Sequence, residues 1–320
     1  MNALPDGPPG RRPHPSPDDG NGRDPDDTAR PDAEPPTGRR KASAGRNLPV
    51  AIGVGLGLAA VVLASLLIRP IAFLALAVIA VGVACWETGT AMHKGGRNVP
   101  VLPLAAAGAL IVVLAWYGGA TGLLLGTAVG VAALFVWRLS EGATGYRADV
   151  PAASLVLVQI PFLAGFVMLL ATSEAGTANL FGYGLETGAA QVLIMLFTVV
   201  LSDTGGYTAG VLLGRHPMTP KISPKKSWEG LGGSVVAAAL GGSLTLWLIF
   251  EVPFTLGVAF GVCVALAATL GDLSVSLLKR DLSIKDMSNL IPGHGGVMDR
   301  LDSILMVAPV AYVWFRYLLG

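Results

Sequence analysis

V-P-V-L-P-L-A-A-A-G-A-L-I-V-V-L-A-W-Y-G-G-A-T-G-L-L-L-G-T-A-V-G-V-A-A-L-F-V-W, residues 99–137, carries no charged side chain. A chain of that length without charge has to bury its whole surface in hydrocarbon, which means a bilayer. The same texture extends through most of the 320 residues, of which 52% are apolar and only 13% charged. That is roughly half the charged fraction of an ordinary soluble domain. Nine apolar segments follow one another at 48–68, 70–90, 99–117, 119–137, 152–171, 188–209, 231–250, 252–272 and 303–319. Each is near the ~20 residues that span ~30 Å of hydrocarbon as a helix. They are too long for barrel strands, and a lipid-exposed backbone has to satisfy its own hydrogen bonds, so helices are required. The expected fold is an all-α integral membrane protein, a bundle of about nine transmembrane helices.

Residues 1–46 differ in kind. They are rich in Pro, Asp, Gly and Arg, hold eight of the 22 Lys and Arg, and have almost no large apolar side chains. Such a segment cannot offset its chain entropy by burial and reads as a disordered tail. It is no secretory signal, since the first apolar run begins only near Leu48 and no small-residue cleavage site follows. Arg39, Arg40, Lys41 and Arg46 precede the first span, which puts the N-terminus in the cytoplasm. Alternation then makes four further basic loops cytoplasmic: His93 to Arg97, Arg138 to Arg147, Arg215 to Lys226, and Lys279 to Arg300. Only Arg69 and Arg316 fall toward the opposite side, and the C-terminus ends there. The expected compartment is a bacterial-type inner membrane. The organisation is a tail (1–46), a scaffold of helices (47–187) and a C-terminal half (188–320) that holds the polar motifs. The net charge of +1 says little about partners, but there is no basic domain that would suggest DNA or RNA, and no nucleic-acid partner is expected. Cys85 and Cys263 lie in apolar runs and read as small core residues. Gly126/Gly130 and Gly257/Gly261 form small-xxx-small pairs that let helices approach closely.

Three polar clusters stand out. Ser202-Asp203-Thr204-Gly205-Gly206-Tyr207 ends the sixth span, with Asp203 and Tyr207 on one helix face. Asp203 alone fits an interfacial helix end as well as a site. The loop from Gly214 to Gly230 holds Lys221, Ser223, Lys225, Lys226 and Ser227 beside glycines. The positive-inside rule explains its charge, but hydroxyls, ammonium groups and glycine N–H groups together also suit a polyphosphate. The third cluster places Asp272, Ser276, Lys279 and Arg280 on one helix face, then His294-Gly295-Gly296 and Asp299-Arg300-Leu301-Asp302. Asp299 and Asp302 point the same way on a helix, an arrangement that repels itself unless a cation lies between them. Hard oxygen donors at that spacing suit Mg²⁺ with phosphate and water completing its shell. A solvated loop with surface ion pairs would not place acids repeatedly on one face.

Residues 276–302 read S-L-L-K-R-D-L-S-I-K-D-M-S-N-L-I-P-G-H-G-G-V-M-D-R-L-D. This resembles the signature of the phosphatidate cytidylyltransferase (CDP-diacylglycerol synthase) family: S-x-aliphatic-K-R, four residues, K-D, a spacer to P-x-H-G-G, two residues, D-R-x-D. Upstream, Asp203-Thr204-Gly205-Gly206-Tyr207, Gly214-Arg215 and Ser223-Pro224-Lys225-Lys226-Ser227 follow the family's order. Gly206 stands where the family often has Ala. His216-Pro217-Met218-Thr219 departs from the pattern, so no role is carried onto those four. The resemblance implies a multi-span fold, a cytoplasmic site, CTP and phosphatidic acid as substrates, Mg²⁺ with a second, monovalent cation such as K⁺, and a homodimer. Under it, Asp272, Asp299 and Asp302 are expected as metal ligands, with Asp203 a further candidate. Lys225, Lys226, Lys279, Arg280 and Arg300 would hold phosphate oxygens, aided by Ser223 and the Gly295-Gly296 backbone. His294 either donates to the leaving pyrophosphate or orders its own glycine turn. Rival readings are a CTP-dependent lipid kinase, an ion-coupled carrier and a membrane scaffold. A carrier predicts charges nearer mid-span and repeated halves, and neither is seen.

Overall fold

The structure, a computed structural model, describes residues 48–173, 176–180, 183–288, 290 and 295–318. The tail 1–46 and His294, both given expectations above, lie outside the described residues. Helix α1 (Leu48–Ile68) leads through Arg69 into α2 (Pro70–Lys94), whose first residue is a proline, where a missing N–H costs nothing. Next comes α3 (Val101–Ser140), 40 residues long and broken at Gly119, where φ is 58° and ψ −148°. Glycine takes that conformation without penalty. The break falls between the third and fourth apolar segments. Beyond it the chain doubles back, so that a Cβ on Gly122 would overlap the Leu114 carbonyl and one on Gly126 would sit 3.2 Å from Ile111 Cα.

Helix α4 (Tyr146–Leu157), a π-helical turn (Val158–Phe162) and α5 (Leu163–Ala171) run as one rod. Pro161 lies in the wide turn, where its missing N–H and ring are accommodated. Strands β1 (Thr177–Leu180) and β2 (Tyr183–Glu186) form a small antiparallel hairpin before α6 (Thr187–Leu213). Strands β3 (Pro217–Thr219) and β4 (Ser223–Ser227) form another before α7 (Trp228–Phe250). Both hairpins were read as plain loops from the sequence; pairing lets these connections satisfy their backbone groups locally. Helix α8 (Phe254–Asp281) continues past its apolar span to carry Asp272 through Arg280, as expected, and α9 (Met298–Val313) takes in Asp299 and Asp302 before its apolar span and ends in a π-helical turn (Trp314–Leu318).

Seven helices among the described residues are long and apolar enough to cross a membrane, and α1 carries no charged side chain over its 21 residues. The fold is therefore an all-α polytopic membrane protein. The count of nine crossings belongs with the topology proposed below.

Small residues draw the C-terminal helices together. Gly205 on α6 and Gly233 on α7 face each other so closely that a Cβ on Gly233 would lie 2.5 Å from the Gly205 carbonyl oxygen. Gly257 and Gly261 on α8 meet the α7 backbone at Ser243 and Ala238, and Gly271 meets the Asp302 carbonyl of α9. Arg138, assigned to a cytoplasmic loop from sequence, is buried with Asp149. The guanidinium donates to Asp149 Oδ2 from Nε at 3.0 Å and Nη2 at 2.8 Å, and to the Gly142 and Thr144 carbonyls. Asp149 Oδ1 accepts from Asn98 N–H at 2.9 Å. The pair locks the turn between α3 and α4.

Two neighbouring glycines on α7 test the crossing. Gly232 has no atom near its missing Cβ, whereas Gly233 has α6 against it. Gly232→Ala is expected to be neutral or to stabilise by about 0.5–1 kcal/mol through helix propensity. Gly233→Ala is expected to cost roughly 1–3 kcal/mol through overpacking. Thermal unfolding midpoints of the two variants in detergent should move apart; equal midpoints would contradict the close crossing.

Candidate active site

A cavity of about 440 Å³ opens among α6, α7, α8, α9 and β4. Its walls carry Asp203 from α6, Ser223, Lys225 and Lys226 from β4, Asp272 and Lys279 from α8, and Asp299, Arg300 and Asp302 from α9. Residues spread over a hundred positions are thus brought to one space. The helix ends explain how. Ser227 caps α7, its hydroxyl accepting from Gly230 N–H at 3.1 Å, which turns β4 sharply into the helix. The base of the hairpin is closed by Glu229, whose carboxylate accepts from the backbone N–H groups of Arg215 and His216 and meets His216 Nδ1 at 2.5 Å.

Acids and bases are interleaved in the cavity. Lys226 Nζ lies 2.7 Å from Asp272 Oδ2, and Ser276 Oγ donates to Asp272 Oδ1 at 3.2 Å. Lys279 Nζ lies 3.0 Å from Asp299 Oδ1. Asp299 Oδ2 accepts from Met287 N–H at 3.2 Å and Gly296 N–H at 3.0 Å, and the residue is buried. Asp302 Oδ1 accepts from Ser303 N–H at 2.7 Å within its own helix. Among the described residues, neither Asp203 nor Asp302 is in an ion pair.

The remaining expected residues are engaged within the protein. Arg280 does not line the cavity; its Nε donates to the Ile222 carbonyl at 3.1 Å, fastening the tip of the β3–β4 hairpin to α8. The Gly296 N–H is committed to Asp299 and not offered to a ligand, while Gly295 supplies a positive φ of 81° against the same carboxylate. Asp299 itself has both oxygens engaged by protein donors.

Other residues had no role from sequence. Ser234 lines the cavity and donates to the Ser202 carbonyl at 2.8 Å, and Asp286 and Ser303 also face in. Lone hydroxyls in apolar helices carry no signal that separates them from packing residues. Ser227 was readable as a cap from its place before the apolar run of α7. Glu87 is the largest omission: an acid in α2, 2% exposed, hydrogen-bonded to the segment that starts α9.

A polytopic helical protein with carboxylates, lysines and an arginine converging at the ends of four helices has the frame of a membrane enzyme acting on phosphate groups. Residues 50–318 match the cytidylyltransferase family, and the chain belongs to it. It is therefore a nucleotidyltransferase. The phosphatidate cytidylyltransferase of Mycobacterium tuberculosis is 39% identical over 284 residues, which cover 84% of this chain and 83% of that protein. That of Mycobacterium leprae is 37% identical over 291 residues, covering 86% and 89%. A shorter match, 43% identical over 133 residues, joins 42% of the chain to 50% of the Helicobacter pylori phosphatidate cytidylyltransferase.

The two ion pairs differ in burial, and that difference is measurable. The Lys279 and Asp299 side chains are 15% and 5% exposed, against 23% and 39% for Lys226 and Asp272. Lys279→Met leaves a buried carboxylate without its cation and is expected to destabilise by about 3–5 kcal/mol. Lys226→Met is expected to cost about 1 kcal/mol or less. Thermal unfolding without substrates would read the difference; the reverse order would overturn this account of the pairs.

Proposed function

We propose that the chain is a phosphatidate cytidylyltransferase, converting CTP and phosphatidate to CDP-diacylglycerol and pyrophosphate in phospholipid biosynthesis. The observation that carries the reading is the single cavity in which Ser223, Lys225 and Lys226 of the hairpin face Asp272, Lys279, Arg300 and Asp302 of α8 and α9. The relatives that match most of the chain bear this activity in their names.

The residues fit Mg²⁺. Among the described residues no three acidic, His or Cys side chains form a ready-made cage. Mg²⁺ does not need one, since it commonly takes one or two carboxylates and completes its octahedron with phosphate oxygens and water. Asp272 and Asp302 would hold it, with Asp203 facing the same space and Asp299 acting through water because its oxygens are engaged. When bound, the ion neutralises charge on the triphosphate and on the departing pyrophosphate. A second, monovalent cation belongs to the same proposal.

In the reaction a phosphate oxygen of phosphatidate attacks the α-phosphorus of CTP. The new P–O bond forms as the bond to the β-phosphate oxygen breaks, and pyrophosphate leaves with that electron pair. The nucleophile is already anionic near neutral pH, so positioning and charge neutralisation carry the catalysis. Lys225, Lys226 and Arg300 hold phosphate oxygens. Lys226 exchanges Asp272 for the nucleotide, which frees that carboxylate for the ion.

The topology proposed with this function has nine crossings, counting α1 and each half of α3. The N-terminus and the cavity lie in the cytoplasm, where CTP is, and the C-terminus lies outside, in a bacterial-type inner membrane. The protein is proposed to act as a homodimer.

Pyrophosphate release from CTP by the detergent-purified protein is expected to need both phosphatidate and Mg²⁺, with CDP-diacylglycerol recovered in the organic phase. Asp302→Asn is expected to lower turnover by about 100-fold or more, the loss of a few kcal/mol of charge stabilisation. Release that ignores the lipid would overturn the proposed acceptor, and an active Asp302→Asn would remove that residue from the metal centre.

A further inference from the structure

Glu87 belongs to the half of the chain that holds none of the polar motifs, yet its carboxylate reaches the helix that does. Oε1 accepts from Ser288 Oγ at 2.5 Å and from Val297 N–H at 3.1 Å, and Oε2 accepts from Met298 N–H at 3.0 Å. A helix begins with four N–H groups that have no partner in the helix itself. Most helices cap them with a Ser, Thr, Asp or Asn of their own. The residue at the cap of α9 is Val297, which has no acceptor in its side chain and makes no side-chain cap bond. The cap comes instead from α2, more than 200 residues earlier in the chain.

The same carboxylate holds the other end of the preceding segment, because Ser288 Oγ also accepts from Leu290 N–H at 3.1 Å. Asp299 holds that segment from the opposite side through Met287 N–H and Gly296 N–H. Gly296 lies between the two acids, and a Cβ there would stand 2.7 Å from Glu87 Oε2. The register of α2 is itself set by close packing, with a Cβ on Gly89 falling 3.1 Å from Val101 Cγ2 and one on Gly95 falling 2.5 Å from Leu282 Cδ2 at the end of α8. Successive helical residues point about 100° apart. The rotation of α9 about its axis therefore decides whether Asp299, Arg300 and Asp302 face the cavity, and its first turn is where Glu87 takes hold.

We infer that Glu87 is a positioning residue for the transfer reaction: it caps α9 and ties Ser288 to that cap so that Asp302 and Arg300 are presented to the nucleotide and its ion. The inference rests on the reading of the cavity as a nucleotidyl-transfer site. Glu87 touches no substrate, so its removal acts through the geometry of α9.

Glu87→Ala, Glu87→Gln and Ser288→Ala, each in the full chain, test it with two readouts. The first is amide hydrogen exchange of peptides covering 295–301, measured without substrate or metal. The second is the Mg²⁺ dependence of pyrophosphate release at saturating CTP and phosphatidate. Glu87→Ala is expected to speed exchange at Val297 and Met298, to raise the Mg²⁺ midpoint and to lower kcat, with activity down about 10–100-fold. Glu87→Gln keeps one acceptor and turns an NH₂ toward a donor, so it should fall between Glu87→Ala and the unaltered protein. Ser288→Ala removes only one of the three donors and should give a smaller shift of the same sign. It decides the matter if Glu87→Ala does not fold. Faster exchange with the Mg²⁺ midpoint and kcat unchanged would reduce Glu87 to a structural cap and overturn the inference, as would unchanged exchange. If the unaltered protein released no pyrophosphate, the proposed function would fall, while the exchange data would still show whether Glu87 caps α9.

Discussion

The buried carboxylate of Asp299 is the junction on which the site depends. One oxygen meets Lys279 of α8, and the other receives two backbone N–H groups from either end of the 287–296 segment. A carboxylate so deeply buried is tolerable only when its charge and lone pairs are satisfied. Satisfying them ties Lys279 of α8, Met287 and Gly296 to the first turn of α9. Asp302, one helical turn further on, then faces the cavity with Asp272 and Asp203. Asp299 was expected from its spacing to share a cation with Asp302. In the structure its oxygens accept from protein donors, while Asp302 Oδ1 accepts from Ser303 N–H.

That junction is useful only if the helices behind it stand close together. Lipid tails offer no hydrophobic drive for helix association, so packing has to come from close contact of small residues. Gly205 against Gly233, Gly261 against Ala238 and Gly271 against Asp302 bring α6, α7, α8 and α9 to backbone contact. The approach of α9 to Gly271 also bears on chemistry. Gly271 immediately precedes Asp272, so the crossing that packs the two helices also brings Asp272 and Asp302 to the same cavity.

How much could be read in advance depended on whether a residue's meaning lay near it in the chain. The helical membrane fold was legible because a span such as 99–137 has one physical reading, and the division into 99–117 and 119–137 falls at the Gly119 break. The charged residues of the cavity were legible because Asp272 and Lys279, and again Asp299 and Asp302, recur at helical spacing. Arg138 looked like a loop charge, and Asp149 had no reading. Only the fold shows that they bury one another, since nothing in eleven residues of separation predicts a pair over two solvated charges. Arg280 looked like a phosphate ligand because it falls on the helix face of Asp272, Ser276 and Lys279 and in the family motif, yet its side chain goes to the hairpin. Glu87 stands alone in an apolar helix, with its partners at the other end of the chain. No local pattern could reveal it, although an acid at membrane depth is costly enough to raise the question.

The pairing of Lys226 with Asp272 ties these features to turnover. The two are 2.7 Å apart and partly exposed, so the pair contributes little to stability and separates at little cost. Lys279 and Asp299, more deeply buried, resist separation. The cavity therefore has one ion pair that can open and one that holds the frame. In the proposed reaction a triphosphate entering beside β4 would compete with Asp272 for Lys226, and each phosphate oxygen that took the lysine would leave a carboxylate facing Asp302 with its charge uncovered. That uncovered charge would be the condition under which a divalent ion gains most from entering. Nucleotide and metal would then bind with positive coupling, each making the site more favourable for the other. The rigid pair is what keeps α9 from following the lysine when it moves.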